Sequence, residues 1–304
     1  MSRSRRYLPL LLACCLPFTG LWAATAQEPI RVVTTLPMLK EFVEQIGGPH
    51  VAVTSLLTGL ENEHTYTPKP SDLEAVHNAR LFVQIGVGLE IWAESLIKAA
   101  RRPGLTIVTS SQGIALIRDQ ESNPNSADSH PHSFGNPHVW LDPANAKTMI
   151  HTIAKALIAA APAQRETFLK NQARYLKEID TIEADIQERV KQLEDRRIIT
   201  HHNAWPYFAR RFGFRIEGVI LEQPGGEASA KTLASLTKLI RQKRIKVIVM
   251  EPQMNPKVAQ LLAQETGARL VTLTPLPGGL PGTERYVQML AYNAGALIEA
   301  LASR

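Results

Sequence analysis

Three of the nine histidines lie beside the ends of predicted elements, where open α/β sheets place their ligands. The motif E-N-E-H-T-Y-T-P-K-P-S-D places His64 directly after a predicted strand. The motif G-N-P-H-V-W-L-D-P places His138 before a predicted helix, and T-H-H-N-A-W-P-Y-F places His202 after another strand. Neutral imidazoles bind zinc at about 2.0–2.1 Å, and three of them with one oxygen ligand form a tetrahedral site. Because manganese and magnesium favour more carboxylates, this donor set predicts zinc.

The elements that must position these histidines alternate between short β-branched runs and amphipathic stretches, which predicts parallel sheets flanked by helices. The predicted strands cover residues 30–34, 51–57, 81–85, 105–108, 198–200, 216–220, 247–250 and 270–273. The predicted helices cover 37–46, 71–78, 89–100, 143–160, 205–211, 230–242, 257–266 and 284–301. Ser71 is the predicted N-cap of the second of these helices.

A longer helix is predicted from Pro162 to about Asp195, because its apolar residues recur at steps of three, four and seven. At 1.5 Å per residue it would span roughly 50 Å, which suits a connection between two lobes. We therefore predict an α/β fold of two lobes, each a roughly four-stranded parallel sheet flanked by helices, joined by one long backbone helix.

The chain of 304 residues divides into four predicted segments, and the length suits two lobes. Residues 1–26 form a signal peptide and residues 27–161 an N-terminal metal-binding lobe. Residues 162–196 form the linking helix. Residues 197–304 form a C-terminal metal-binding lobe.

The signal peptide is predicted from three arginines within the first six residues, the apolar run Tyr7–Phe18 and small residues before a cleavage site after Ala26. The run is too short for a membrane-spanning helix. The alternative is a lipoprotein signal acylated at Cys14 or Cys15. Both cysteines of the chain lie in this segment, so the mature chain would have neither a disulfide nor a thiolate metal site.

The formal net charge of +6 falls to +3 when the three arginines of the signal segment are left out. No basic stripe is interleaved with aromatic residues, so the composition does not indicate a nucleic-acid partner.

Four motifs occur in an order and spacing that resemble the zinc- and manganese-binding solute-binding proteins of metal ABC transporters. They are E-H-T-Y-T-P-K-P-S-D-L, G-N-P-H-V-W-L-D-P-A-N-A, H-N-A-W-P-Y-F-A-R-R-F-G-F and E-P-Q-M-N-P, and the resemblance covers about residues 30–300. It implies a periplasmic, monomeric, non-enzymatic protein that holds Zn²⁺ between two lobes. It also implies delivery to a membrane permease energised by a cytoplasmic ATPase, with a periplasmic zinc chaperone as a further expected partner.

The resemblance assigns His64, His138 and His202 as the three histidine ligands of the metal. The neighbouring His201 falls outside the matched position, and we expect it to pack at the strand end. Glu251 is expected to order the cleft through hydrogen bonds.

The fourth ligand is open, because many relatives have an aspartate in an L-D-P-L motif where this chain has Thr274. Glu63 is the preferred replacement, since some zinc-specific relatives resemble this chain in having glutamate there. Glu227 and water are the alternatives.

Three other functions compete with zinc delivery. The first is a Mn²⁺-binding transport protein, and the second is a metal-binding adhesin or zinc scavenger. The third is a zinc hydrolase, against which stands the absence of an H-E-x-x-H motif. The polar segment with His130 and His132 resembles a short form of the histidine-rich loop of zinc relatives, so it is either a low-affinity zinc-collecting loop or a plain surface loop.

Overall fold

Two parallel β-sheets of four strands each lie at the centres of the two halves of the chain. The computed structural model describes residues 28–118, 135–221, 226 and 228–302, so the predicted signal peptide lies outside the described residues. The first sheet contains β1 (Ile30–Thr34), β2 (Val51–Ser55), β3 (Leu81–Gln84) and β4 (Thr106–Thr109). The second contains β5 (Arg197–His202), β6 (Arg215–Leu221), β7 (Val247–Met250) and β8 (Arg269–Thr272).

The two sheets share one strand order, β2-β1-β3-β4 in the first and β6-β5-β7-β8 in the second, and all neighbouring strands are parallel. In each sheet the earliest strand lies inside and the order reverses beside it. Such a reversal opens a crevice at the carboxyl ends of the strands. The predicted fold class is confirmed.

Helices flank both sheets. They are α1 (Pro37–Gly47), α2 (Pro70–Asn78), α3 (Ala93–Ala100), α4 (Pro143–Ala160), α5 (Arg165–Val190), α6 (Pro206–Phe212), α7 (Ala230–Lys243), α8 (Lys257–Thr266) and α9 (Tyr286–Ala302). Within the described ranges, no helix is long and apolar enough to cross a membrane.

The long helix α5 has 26 residues and spans about 39 Å at 1.5 Å per residue. The prediction that it continues to Asp195 is wrong, because the helix ends at Val190. Beyond that point the chain continues in turns, and the Leu193 amide donates to the Val190 carbonyl at 3.0 Å. These turns keep Leu193 buried, so the apolar spacing persists after the helix has ended.

The predicted N-cap of α2 is also wrong. The helix begins one residue earlier, with Pro70 in its first turn and Lys69 as the N-cap. The Asp72 carboxylate accepts a hydrogen bond from the Lys69 amide at 2.7 Å, so the capping carboxylate lies inside the first turn.

The predicted helix 89–100 begins only at Ala93. Glu90 lies before the helix, and its carboxylate accepts hydrogen bonds from the amides of Ile85 at 2.7 Å and Gly86 at 2.9 Å. Val87 has a φ of 56°, a left-handed conformation that a helix cannot contain. The segment after β3 is therefore a tight loop closed by a buried carboxylate.

The main hydrophobic core runs without interruption through both halves, from Phe82 in the first sheet past α4 and α5 to Val249 in the second. Trp140 lies inside it, and its indole N–H donates to the Pro275 carbonyl at 2.7 Å. The Tyr286 hydroxyl donates to the Trp140 carbonyl at 2.6 Å. These contacts join the two halves through buried groups near the segment that carries His138.

A charge network binds α4, α5 and α6 to one another. Arg211 on α6 forms a two-pronged ion pair with Asp142, at 2.5 and 3.0 Å. Glu183 on α5 lies 3.5 Å from Arg211 and 3.0 Å from Lys147 on α4. Asp142 also caps α4 by accepting from the amide two residues later. The network therefore fixes the chain just after His138.

Candidate metal centre

One carboxylate and three imidazoles meet between the two sheets. His138 Nε2 lies 3.1 Å from His64 Nε2 and 3.3 Å from His202 Nε2. Glu63 Oε1 lies 3.5 Å from His138 Nε2 and 3.9 Å from His64 Nε2. One donor atom from each of the four residues lies within 4.8 Å of the others. The structure brings together every residue that we predict as a ligand.

The spacing of these four atoms suits a small cation. In a tetrahedral zinc site with bonds of about 2.0–2.1 Å, neighbouring ligand atoms are about 3.3–3.4 Å apart. The Glu63 side chain is only 2% exposed, and its Oε1 accepts no hydrogen bond from the described residues. A buried carboxylate oxygen without a donor is costly, and a bound cation would satisfy it.

His202 is held from behind by a carboxylate. It is the last residue of β5, and its Nδ1 lies 2.8 Å from both carboxylate oxygens of Glu251. The Trp205 indole N–H donates to Glu251 Oε1 at 3.0 Å. Burial alone would lower the pKa of His202, but Glu251 and Glu63 outweigh it and raise the pKa above its usual value. A proton on Nδ1 leaves the Nε2 lone pair free for a metal.

Asn136 holds His138 in a comparable way. Its side-chain oxygen accepts from the His138 amide at 3.0 Å and lies 3.0 Å from His138 Nδ1. Its side-chain nitrogen donates to the Asn203 carbonyl at 2.6 Å, next to His202. The Tyr207 hydroxyl donates to the Asn136 carbonyl at 2.8 Å. One amide side chain thus ties His138 to the segment that follows His202.

Glu63 and His64 lie on the connection between β2 and α2. The Trp92 indole N–H donates to the Glu63 carbonyl at 3.1 Å, and the His64 amide donates to the Asn62 side chain at 3.0 Å. This connection also meets the second half of the chain, since the Gln253 side chain donates to the Gly59 carbonyl at 2.6 Å. A Cβ atom at Gly59 would lie 2.2 Å from the Pro277 carbonyl oxygen, so the two backbones can approach only at a glycine.

Residues 32–300 match the family described as "Zinc-uptake complex component A periplasmic". The chain belongs to this family. Among curated relatives, the zinc-binding protein AdcA of Streptococcus pyogenes serotype M3 is 30% identical over 269 residues. The match covers 83% of this chain and 52% of AdcA, so the chain spans about half the length of that relative.

Solved structures share the fold of this chain. A crystal structure of ZnuA matches with a TM-score of 0.80 and 28% identity, covering 90% of this chain and all of that chain. A mutant structure of the laminin-binding adhesin Lmb from Streptococcus agalactiae matches with a TM-score of 0.77 and 26% identity. That match covers 90% of this chain and 99% of the adhesin chain.

The other residues considered for the site lie apart from the cluster or outside the described part. Thr274 is fully buried, and its hydroxyl donates to the Leu276 carbonyl at 2.7 Å, which places it in a local turn. His201 is fully buried at the end of β5, where burial lowers its pKa, and it is not part of the four-residue cluster. Glu227, His130 and His132 lie outside the described residues.

Sequence reasoning missed the support given by Asn136 and the two tryptophans. For Asn136 a sequence signal exists. It lies two residues before His138, and at that spacing an asparagine side chain can accept a hydrogen bond from the later residue's amide in an Asx turn. The roles of Trp92 and Trp205 depend on contacts between distant segments, and no local spacing reveals them.

Proposed function

We propose that this protein captures Zn²⁺ outside the cytoplasm and presents it to a membrane transporter. The observation that carries the proposal is the meeting of Glu63, His64, His138 and His202, whose four donor atoms lie within 4.8 Å of one another. These four residues are the proposed zinc ligands.

The donor set favours zinc over manganese, because three imidazoles and one carboxylate suit a tetrahedral ion better than an octahedral one. With Glu63 as the fourth ligand, the ion has no open position for a reacting water. Catalytic zinc sites keep such a position, so this arrangement supports a binding protein and not a hydrolase. Zinc is the cargo here, and the four side chains bind it and exclude water from it.

The proposed organisation follows the predicted segments. Residues 1–26 act as a signal peptide, residues 27–161 and 197–304 form the two lobes, and residues 162–196 connect them. The protein is then periplasmic, works as a monomer and hands zinc to a permease that a cytoplasmic ATPase energises. A periplasmic zinc chaperone is a further proposed source of its cargo.

The zinc site is tested by X-ray absorption of the purified, zinc-loaded chain. We expect one zinc per chain, with three nitrogen ligands and one oxygen ligand at about 2.0–2.1 Å. His77→Gln, which changes an exposed histidine on α2, is the control and should keep the same spectrum. A spectrum with six oxygen ligands would contradict the proposal.

The transport role is tested in cells that lack the gene and grow in the presence of a zinc chelator. The wild-type gene and His77→Gln should restore growth and zinc content, whereas His202→Ala should not. Equal rescue by all three genes would contradict a role in zinc capture.

A second candidate function is adhesion, which the 26% identity and matching fold of the laminin-binding adhesin favour. Binding of the zinc-loaded chain to immobilised laminin tests it. Saturable binding would support this function, and binding no stronger than to albumin would exclude it.

A further inference from the structure

A pocket of about 510 Å³ lies at the edge of the first sheet where its strands begin. Arg31, Arg80 and Arg102 line it, together with Glu28. Arg31 belongs to β1, Arg80 immediately precedes β3, and Arg102 precedes β4, so three neighbouring strands each bring one guanidinium to the same edge. Glu63 and His64 lie on the connection that leaves the opposite end of β2, and β2 itself is roughly 16 Å long.

Backbone carbonyls orient two of these guanidinium groups. Arg31 Nε donates to the Asn78 carbonyl at 2.7 Å, and Arg102 Nε donates to the Ala79 carbonyl at 3.1 Å. These bonds use the Nε–H of each group and leave its terminal amino groups available. Because a guanidinium is planar and rigid, fixing one N–H fixes the direction of the others.

The sheet fixes the backbone of the third arginine. The Arg80 amide donates to the Arg31 carbonyl at 2.8 Å, and the Arg80 carbonyl accepts from the Thr106 amide at 3.0 Å. Arg80 is therefore attached to β1 on one side and to β4 on the other. Its exposed side chain starts between those of Arg31 and Arg102.

The pocket has an excess of positive charge, with three arginines against the single carboxylate of Glu28 among its lining residues. Glu28 Oε2 lies 4.0 Å from Arg31 Nη1, and both side chains are largely exposed. An exposed ion pair at this distance neutralises little. The volume also lies within the range of about 300–1,000 Å³ that small-molecule sites occupy.

We propose that this pocket binds a phosphate-bearing anion. Arginine forks match the paired oxygens of a phosphate group, and three converging guanidinium groups would each donate to it. The size of the pocket fits a phosphate ester or a lipid headgroup better than a bare inorganic ion. Two sources of this chemistry are available: a soluble phosphate ester, or the headgroup of a phospholipid.

The experiment uses the purified chain, with and without zinc, and two kinds of probe. Calorimetric titration with sn-glycerol 3-phosphate tests the soluble source. Co-sedimentation with phosphatidylcholine vesicles, with and without phosphatidylglycerol, tests the lipid source. Arg80→Gln removes one guanidinium that makes no hydrogen bond or ion pair with the described residues, and Lys170→Gln on α5 removes one exposed positive charge elsewhere.

We expect saturable binding of at least one probe, weakened about tenfold by Arg80→Gln and unchanged by Lys170→Gln. Zinc affinity should be the same in all three proteins, since the metal centre lies at the other end of the sheet. Added salt should weaken the interaction. Absence of binding to both probes, or equal loss in Arg80→Gln and Lys170→Gln, would overturn the proposal.

Discussion

The four donors of the metal centre come from two differently supported regions. His138 and His202, the back pair, have side chains only 3% and 4% exposed, and Asn136 and Glu251 contact their Nδ1 atoms. Glu63 and His64, the loop pair, lie on the connection between β2 and α2, and the His64 side chain is 10% exposed. The Nδ1 contacts therefore hold the back pair from behind, and the loop pair closes the site at His64, the most exposed of the four residues.

This difference indicates an order of events. In the proposed function, we expect the two imidazoles of fixed orientation to bind zinc first and the loop pair to complete the tetrahedron. We expect release in the reverse order, when Glu63 and His64 move away. The Gln253 hydrogen bond to Gly59 would oppose that movement.

The largest effect is expected from removal of a back-pair ligand. Structural zinc sites with four ligands contribute about 10–16 kcal/mol, so His202→Ala should weaken zinc binding roughly 100- to 1,000-fold. His201→Gln, which changes the adjacent buried histidine outside the cluster, should leave affinity within about threefold. Competition with a chromophoric chelator measures both, with folding checked by circular dichroism. Similar losses of zinc affinity in the two variants would contradict the assignment of His202, and not His201, as a ligand.

A large effect is also expected from acid, because protons and zinc compete for the same imidazoles. Glu251 and Glu63 raise the pKa of His202 against the effect of burial, so the pKa lies above its usual value of about 6.5 and the imidazole keeps its proton to higher pH. Zinc affinity should therefore already decline below neutral pH, and it should fall by about a hundredfold or more between pH 7.5 and 5.5. Chelator competition across this range checks it, and a flat profile would contradict histidine ligation.

The same raised pKa gives the folding stability of the metal-free protein the opposite dependence on pH. Protonated His202 paired with Glu251 stabilises the folded state fully below the unfolded pKa of about 6.5. That contribution is lost as pH rises through the higher pKa of the folded state.

A smaller effect is expected from the groups behind the ligands. Glu251→Gln should weaken zinc binding about 10- to 100-fold, because His202 loses the carboxylate that orients it. Trp92→Phe removes the hydrogen bond to the Glu63 carbonyl in the loop pair, and its cost should stay below about tenfold. Isothermal titration in the presence of a competing chelator ranks the two. The reverse ranking would show that the loop pair is the better supported region.

A moderate effect is expected at the fourth ligand. Glu63→Gln keeps an oxygen in place but removes its charge, so we expect about tenfold weaker binding of zinc. Cobalt-substituted protein should keep the absorption of a tetrahedral ion, with shifted bands. An unchanged spectrum and an unchanged affinity would mean that Glu63 is not a ligand.

The fold and the histidine set could be read from the sequence because they depend on local patterns. Alternating β-branched runs indicated the strands, and the position of His202 at the end of β5 followed from the behaviour of parallel sheets, whereas His64 lies on the loop that follows β2. Glu63 came from the resemblance alone, and the structure shows its buried oxygen beside the imidazoles.

The features that the sequence did not predict depend on the course of the chain and on contacts between side chains and distant segments. The end of α5 was misplaced because Leu193 keeps helical spacing in turns that are no longer helical. The true capping group of α2 is Asp72, whose carboxylate reaches back to Lys69, while Ser71 is the more familiar capping residue. The Trp205 contact with Glu251 joins two strand ends 46 residues apart, so no local sequence pattern predicts it.

The uninterrupted core has a consequence for folding. Phe82, Trp140, Tyr286 and Val249 belong to one apolar cluster that crosses from one sheet to the other. Neither half can lose its order without exposing surface that the other half covers. Heating should therefore melt both halves in a single calorimetric transition, and a fragment cut between them should not refold alone.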